Sequence, residues 1–387
     1  MVAASGRILV RARIEKPRAQ VPRAHVNITQ RLHRLGQRLW LDNLSRELLK
    51  SGTLARYVRE LSLTGLTSNP TIFDKAIRHT SLYDETIRRG AAAGRSDEAI
   101  FFDLALEDLE QAASLFQPAY DRSAGADGWV SLEVSPLLAN DTARTIEQVK
   151  ALRARADFRN LFIKIPGTPE GIPAIEECVF AGIPINVTLL FSPAQYLAAA
   201  NAYRRAVERR LAAGLHPSVH SVASLFVSRW DVAVNEKVPS DLRNRLGVAI
   251  AKRTYKAYRE SLASAAWNRL AESGAPAQRL LWASTGTKDP DASDVLYVEA
   301  LTAPDTINTV PDATLLAFAD HGKIKEELPA DGGDADTVLA RFAKAGIDTA
   351  KLAQDLQREG VQAFGESWKD LMACIAAKRG GSAARAA

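Results

Sequence analysis

Eight short apolar runs, each followed by a turn signal and a longer helical pattern, constrain the fold of this chain more than any other feature. The runs cover residues 38–43, 65–68, 129–136, 161–167, 183–190, 221–228, 278–285 and 306–310. Parallel strands need long crossover connections, usually helices, so this alternation predicts a parallel sheet covered on both faces. Apolar positions at helical spacing predict helices over 45–61, 97–116, 142–156, 171–181, 193–213, 241–273 and 291–301. Eight such units within roughly 280 residues fit a closed (β/α)8 barrel better than an open sheet. Helical patterns over 335–345 and 348–377 follow the last run. The expected class is therefore α/β, a (β/α)8 TIM barrel with additional C-terminal helices.

Composition removes several function classes. No stretch approaches the roughly 18 to 20 apolar residues of a membrane span, so no membrane partner is expected. Only Cys178 and Cys374 occur, which excludes a disulfide framework and fits a reducing, cytoplasmic setting. The six histidines lie at none of the usual zinc spacings, so no metal is expected. Neither a Walker-type loop nor a G-x-G-x-x-G turn follows any predicted strand, and no cofactor is expected. Much of the net charge of +5 sits at the N-terminus, where Arg7, Arg11, Arg13, Lys16, Arg18 and Arg23 face only Glu15. That pattern can mimic a transit peptide; residues 1–25 read as a disordered extension or a start placed too early. The remainder is near charge balance and gives no support for nucleic-acid binding. Residues 26–378 read as one barrel domain, with the helical elaboration starting near 320, and 379–387 as a disordered tail.

In such a barrel the reacting groups sit at the C-terminal ends of several strands. Lys164 stands in Leu161-Phe-Ile-Lys-Ile-Pro-Gly167, where alternation puts Phe162, Lys164 and Pro166 on one face. A parallel strand is covered on both sides, so the amine is expected to be buried, which disfavours its charged form. A neutral amine is what imine formation with a ketone requires, whereas a salt bridge to a core carboxylate is the structural alternative. Glu133, in Ser131-Leu-Glu-Val-Ser-Pro136, reads either as that partner or as a proton relay. Asp42 ends the first run and, taken alone, reads as a cap for the helix starting near Ser45. Asn69 lies in an Asn-Pro turn, and Asn186 and Thr188 share a face of the fifth run. Ser224 and Arg229 straddle the end of the sixth, and the planar fork of Arg229 suits a phosphate or carboxylate. Amine, carboxylates, amides and guanidinium thus converge on one end of successive strands, which points to an enzyme.

These segments resemble the transaldolase family. Leu66-Thr-Ser-Asn-Pro-Thr71 is similar to its first signature, and Ile163-Lys-Ile-Pro-Gly-Thr168 to the segment carrying its Schiff-base lysine. Gly182-Ile-Pro-Ile-Asn-Val-Thr-Leu-Leu-Phe-Ser192, Gln195 and Ser224-Leu-Phe-Val-Ser-Arg229 continue the likeness, which runs from about residue 30 to 378. The long C-terminal helices resemble those of a longer bacterial subgroup. The resemblance implies sugar-phosphate substrates and transfer of a dihydroxyacetone unit through an imine on Lys164. It makes Asp42 the base at the C4 hydroxyl, and Glu133, with a water held by Thr188, the proton shuttle. Asn69, Asn186 and Ser224 would hold the three-carbon unit, and Arg229 the distal phosphate. The family's second phosphate-binding arginine is absent from Trp282-Ala-Ser-Thr-Gly-Thr-Lys288, leaving Ser284 and Lys288 as further substrate-binding positions.

Two rival readings have separate signatures. A fructose 6-phosphate aldolase would carry an amide in place of Glu133 and a tyrosine in place of Phe226, by resemblance to that related family. A catalytically dead barrel serving as a scaffold would have lost Lys164 or a carboxylate. A homodimer is left open.

Overall fold

The eight runs become strands because each is a short, largely apolar segment that a parallel sheet covers on both faces. A computed structural model describes residues 27–381. The strands are β1 (Arg38–Leu41), β2 (Leu63–Thr67), β3 (Trp129–Glu133), β4 (Leu161–Pro166), β5 (Ile185–Leu190), β6 (Ser221–Phe226), β7 (Arg279–Ala283) and β8 (Ile307–Val310). They pair in parallel in chain order, and β8 returns to β1 to close the barrel. Every residue of β2 to β6 and β8 is buried.

Strand alternation sorts the side chains into two cores. Leu161, Ile163 and Ile165 face outward into the cluster shared with the surrounding helices. Phe162 faces inward, with Trp40, Trp129, Val222, Leu281 and Ile307. Trp129 and Phe162 stack with ring centroids 4.1 Å apart, and Trp40 lies 6.1 Å from Phe162. Gly65 makes this aromatic floor possible: a Cβ there would stand 2.6 Å from the Trp129 carbonyl and 2.7 Å from the Trp40 indole. The lower barrel is thus filled by rings, and the inward positions above it are polar.

The helices over 142–156, 171–181, 193–213 and 335–345 are found to within a residue at each end. Others differ for local reasons. The single helix expected over 45–61 is two, Arg46–Lys50 and Thr53–Glu60, because Gly52 between them adopts φ +72°. The one expected over 241–273 is interrupted by Ser264, extended in backbone, whose hydroxyl accepts the Trp267 N–H and starts Ala265–Glu272 after Leu246–Ala263. The one expected over 291–301 shrinks to Leu296–Ala300. Asp289 and Ser293 take local hydrogen bonds there that compete with a helix. The helix expected over 97–116 runs on to Arg122, past Pro118. Five further helices were not expected: Ile28–Arg34, Pro70–Arg78, Asp84–Ala92, Ser228–Val234 and Asp312–His321.

The last helix is Thr349–Gly381. It takes in residues 379–381, which the sequence reading put in a disordered tail, and Arg379 pairs with Asp97 at 3.1 Å. Residues 382–387 and the basic extension 1–25 lie outside the described residues. Among the described residues no helix is long and apolar enough to cross a membrane.

A buried ionic cluster joins the exit of β1 to the long helix Asp97–Arg122. Arg46 bonds Asp108 at 2.8 Å and Glu107 at 2.6 Å, and also meets the Leu82 carbonyl and Thr86 hydroxyl. Its guanidinium lies 4.6 Å from the Tyr83 ring centroid, and the Tyr83 hydroxyl donates to Asp108 at 2.8 Å. Asp108 has no solvent exposure.

Candidate active site

A cavity of about 370 Å³ opens at the C-terminal end of the barrel, lined by Asp42, Lys164, Thr188, Ser224, Arg229 and Lys288 among others. Asn69 and Ser284 also line it. A larger cavity, about 570 Å³, lies at the opposite end around Arg38, Trp129 and Arg279, below the aromatic floor. It holds neither Lys164 nor either of the two site carboxylates. The smaller cavity therefore gathers the residues that the sequence singles out.

Register puts the central groups in one row. Glu133 of β3 stands opposite Lys164 of β4, and Lys164 opposite Asn186 of β5. The Lys164 ammonium lies 3.1 Å from Glu133 Oε2 and donates to the Ser68 carbonyl at 3.0 Å. Lys164 is 5% exposed and Glu133 4%, so this pair is shielded from solvent. It is a charge contact and not a well-directed hydrogen bond. Both Glu133 oxygens and the Thr188 hydroxyl are buried without a directed partner among the described residues. Burial pushes the Glu133 carboxyl above the usual carboxylate range, with the Lys164 charge opposing the rise.

Asp42 does not cap the helix after β1; Ser45 does, accepting the Leu48 N–H. The Asp42 carboxylate turns instead to the cavity and accepts the Thr67 hydroxyl at 2.8 Å. Burial raises its pKa, while Lys164, the Thr67 hydrogen bond and Lys288 act against the rise. A raised carboxylate that must act ionised loses activity at a higher pH than an ordinary one. The acidic limb of kcat/KM is expected above the ordinary carboxylate range of roughly 3.9 to 4.3. Thr67→Val removes a donor that favours the ionised form, so the limb moves to still higher pH in a pH–rate profile. An unmoved limb in that variant would assign it to another group.

Other expected residues are placed less directly. Asn69 caps Pro70–Arg78 through its Oδ1, which accepts the Ile72 N–H, while the residue still lines the cavity. Asn186 is fully buried below the cavity, donating to the Ser131 hydroxyl and accepting from Ser224 at 2.7 Å. It reaches the cavity only through Ser224. Ser284, at φ +55°, shares a 2.8 Å hydrogen bond with Ser228.

Arg229 lies beside the rings of Phe226 and Phe364, 5.5 and 5.8 Å from their centroids. Burial lowers its pKa. It has no carboxylate within ion-pair distance among the described residues, so its fork is free for an anion. Two residues on, Asp231 anchors the short helix Ser228–Val234 that carries it, accepting the Leu246 and Gly247 N–H groups and the Tyr297 hydroxyl.

Among the lining residues that the sequence reading missed, three bear on the chemistry. Lys75 stands on the unexpected helix Pro70–Arg78, Thr309 on β8, and Phe364 on the C-terminal helix. Thr309 had a legible signal, a polar residue near the end of an apolar run. The other two depend on how distant elements pack. Lys75, Lys164, Arg229 and Lys288 give the cavity four cations against the single lining carboxylate of Asp42, a balance suited to anionic substrates.

Residues 39–375 match the family model described as Transaldolase/Fructose-6-phosphate aldolase. The transaldolase of Thiobacillus denitrificans is 44% identical over 358 residues, covering 90% of this chain and all of that protein. That of a Parafrankia species is 44% identical, covering 90% of this chain and 97% of its own. Transaldolase 2 of Nostoc punctiforme is 39% identical, covering 87% and 93%. The chain belongs to the transaldolase/fructose-6-phosphate aldolase family, and it is a transferase of the transaldolase kind.

Proposed function

We propose that the activity runs through an imine on Lys164, with Asp42 and Glu133 moving the protons. The observation that carries this reading is a buried amine 3.1 Å from a buried carboxylate, at the base of a cation-lined cavity that also holds Asp42. Glu133 is the nearest carboxylate to take up the proton that Lys164 must lose before it attacks the C2 carbonyl of a ketose phosphate. Attack gives a carbinolamine, and loss of water gives the protonated imine. Glu133 Oε1 and the Thr188 hydroxyl are buried without a hydrogen-bond partner among the described residues, the surroundings that hold a water able to carry those protons.

Asp42 then takes the proton of the C4 hydroxyl. The C3–C4 bond breaks, its electrons pass into the imine to form an enamine on Lys164, and an aldose phosphate leaves. Addition of the enamine to a second aldose phosphate and hydrolysis of the new imine complete the transfer. Arg229 takes the distal phosphate, with Lys288 as a point cation in place of a second bidentate fork. Asn69, Ser224 and Ser284 face the sugar hydroxyls, and Asn186 acts by orienting Ser224. By family resemblance the donors are fructose 6-phosphate and sedoheptulose 7-phosphate, and the acceptors erythrose 4-phosphate and glyceraldehyde 3-phosphate. Two buried free thiols, Cys178 and Cys374, fit a cytoplasmic setting.

Borohydride reduction in the presence of fructose 6-phosphate, followed by peptide mapping, tests the reading. The expected result is a reduced three-carbon adduct on the peptide containing Lys164. Folded protein at saturating sugar with no adduct there would make the lysine structural.

A further inference from the structure

The fifth strand carries a backbone anomaly next to the proposed proton relay. Leu189 follows Thr188 and adopts φ +57°, a left-handed conformation that costs a residue with a Cβ about 1 to 2 kcal/mol. The register of β5 against β6 shifts between Val187 and Leu190 at the same place. Such strain persists only where the surroundings over-determine it.

What holds it comes from the far end of the chain. Gln357, on the helix Thr349–Gly381, is 8% exposed, and its Nε2 donates to the Leu189 carbonyl and to the Gly167 carbonyl, both at 2.9 Å. These two carbonyls lie one residue beyond Thr188 and three beyond Lys164. The strands meet there as well, since the Gly167 N–H donates to the Thr188 carbonyl at 2.7 Å. One turn further along the helix, Gly360 allows close approach. A Cβ there would stand 2.9 Å from Leu189 and 3.4 Å from the Arg229 guanidinium. The Leu189 side chain packs in the same cluster as Leu356 and Phe364.

We infer that Gln357 is a positioning residue for the reaction: its amide bridges the ends of β4 and β5 and holds Lys164 and Thr188 in reacting register. The inference rests on the imine reading above. A plain packing role would lower stability and leave the chemistry of the folded enzyme untouched. A positioning role slows the covalent step, because displacement of reacting groups by an ångström costs roughly 10- to 100-fold.

The test measures single-turnover trapping of the Lys164 imine by borohydride, with steady-state kcat and donor KM, in the full-length enzyme. Gln357→Leu is expected to slow trapping and kcat by the same factor, about 10- to 100-fold, with donor KM little changed. Gln357→Asn keeps an amide but cannot span both carbonyls, so it falls between wild type and Gln357→Leu. It also serves if Gln357→Leu does not fold. Trapping at the wild-type rate in a folded variant overturns the positioning role, even if its unfolding midpoint drops. Failure of the wild-type enzyme to trap on Lys164 would instead overturn the imine reading itself.

Discussion

Lys164→Arg abolishes turnover, with an expected loss of about 10⁴ or more, the scale seen when a covalent nucleophile is removed. Guanidinium stays protonated throughout the accessible pH range and has no lone pair to offer a ketone. The charge is retained, so Glu133 keeps a cationic partner and the barrel keeps its internal balance. Little loss of fold is expected, and circular dichroism can verify that. Assays of dihydroxyacetone transfer and borohydride trapping should therefore fail together in a well-folded protein. A variant that keeps more than about one hundredth of the wild-type rate would show that the amine is not the nucleophile.

The largest effect on stability is expected far from the chemistry, at Arg46. Arg46→Met leaves Asp108, which has no solvent exposure, with only the Tyr83 hydroxyl as side-chain donor. Removing one partner of a buried ion pair costs about 3 to 5 kcal/mol, because the remaining charge is left desolvated and uncompensated. Urea denaturation followed by tryptophan fluorescence should show a much lower midpoint. Adding Asp108→Leu to Arg46→Met should recover a good part of the loss, since an apolar pair carries no buried charge. A single-variant loss below about 1 kcal/mol would mean that the cluster is hydrated in solution and behaves as a surface pair.

The barrel and the candidate site residues were legible in the sequence for one physical reason. A strand buried on both faces leaves no cheap place for a polar side chain, so Lys164, Glu133, Asn186 and Thr188 stood out against apolar neighbours. Asp42 was harder, because a carboxylate just before a helix is usually a cap. Only the tertiary placement of Thr67 and Ser45 shows that it is free for other work. Lys75 was missed because Pro70–Arg78 is capped by an Asn-Pro turn that reads locally as loop. Gln357 and Phe364 were beyond local reasoning altogether. Each is an ordinary residue of an amphipathic helix, and its significance lies in carbonyls and a guanidinium about 130 to 190 positions away in the chain.

Gly52 and Ser264 taught a smaller lesson. The apolar spacing across both was continuous, yet a left-handed glycine and a serine cap divided the helices. Periodicity reports which face is buried and is silent on whether the backbone stays unbroken between two buried turns.

The closure of β8 onto β1, followed by the docking of the final helix, has a consequence for how the enzyme is made. A ribosome that has just added Lys164 must still add about 200 residues before Phe364 exists, which takes on the order of 10 to 40 seconds at usual elongation rates. Throughout that interval the proposed nucleophile, Lys164, exists without Gln357 and Phe364. A polypeptide that stops before the final helix lacks both the Gln357 bridge between β4 and β5 and the Phe364 wall of the cavity.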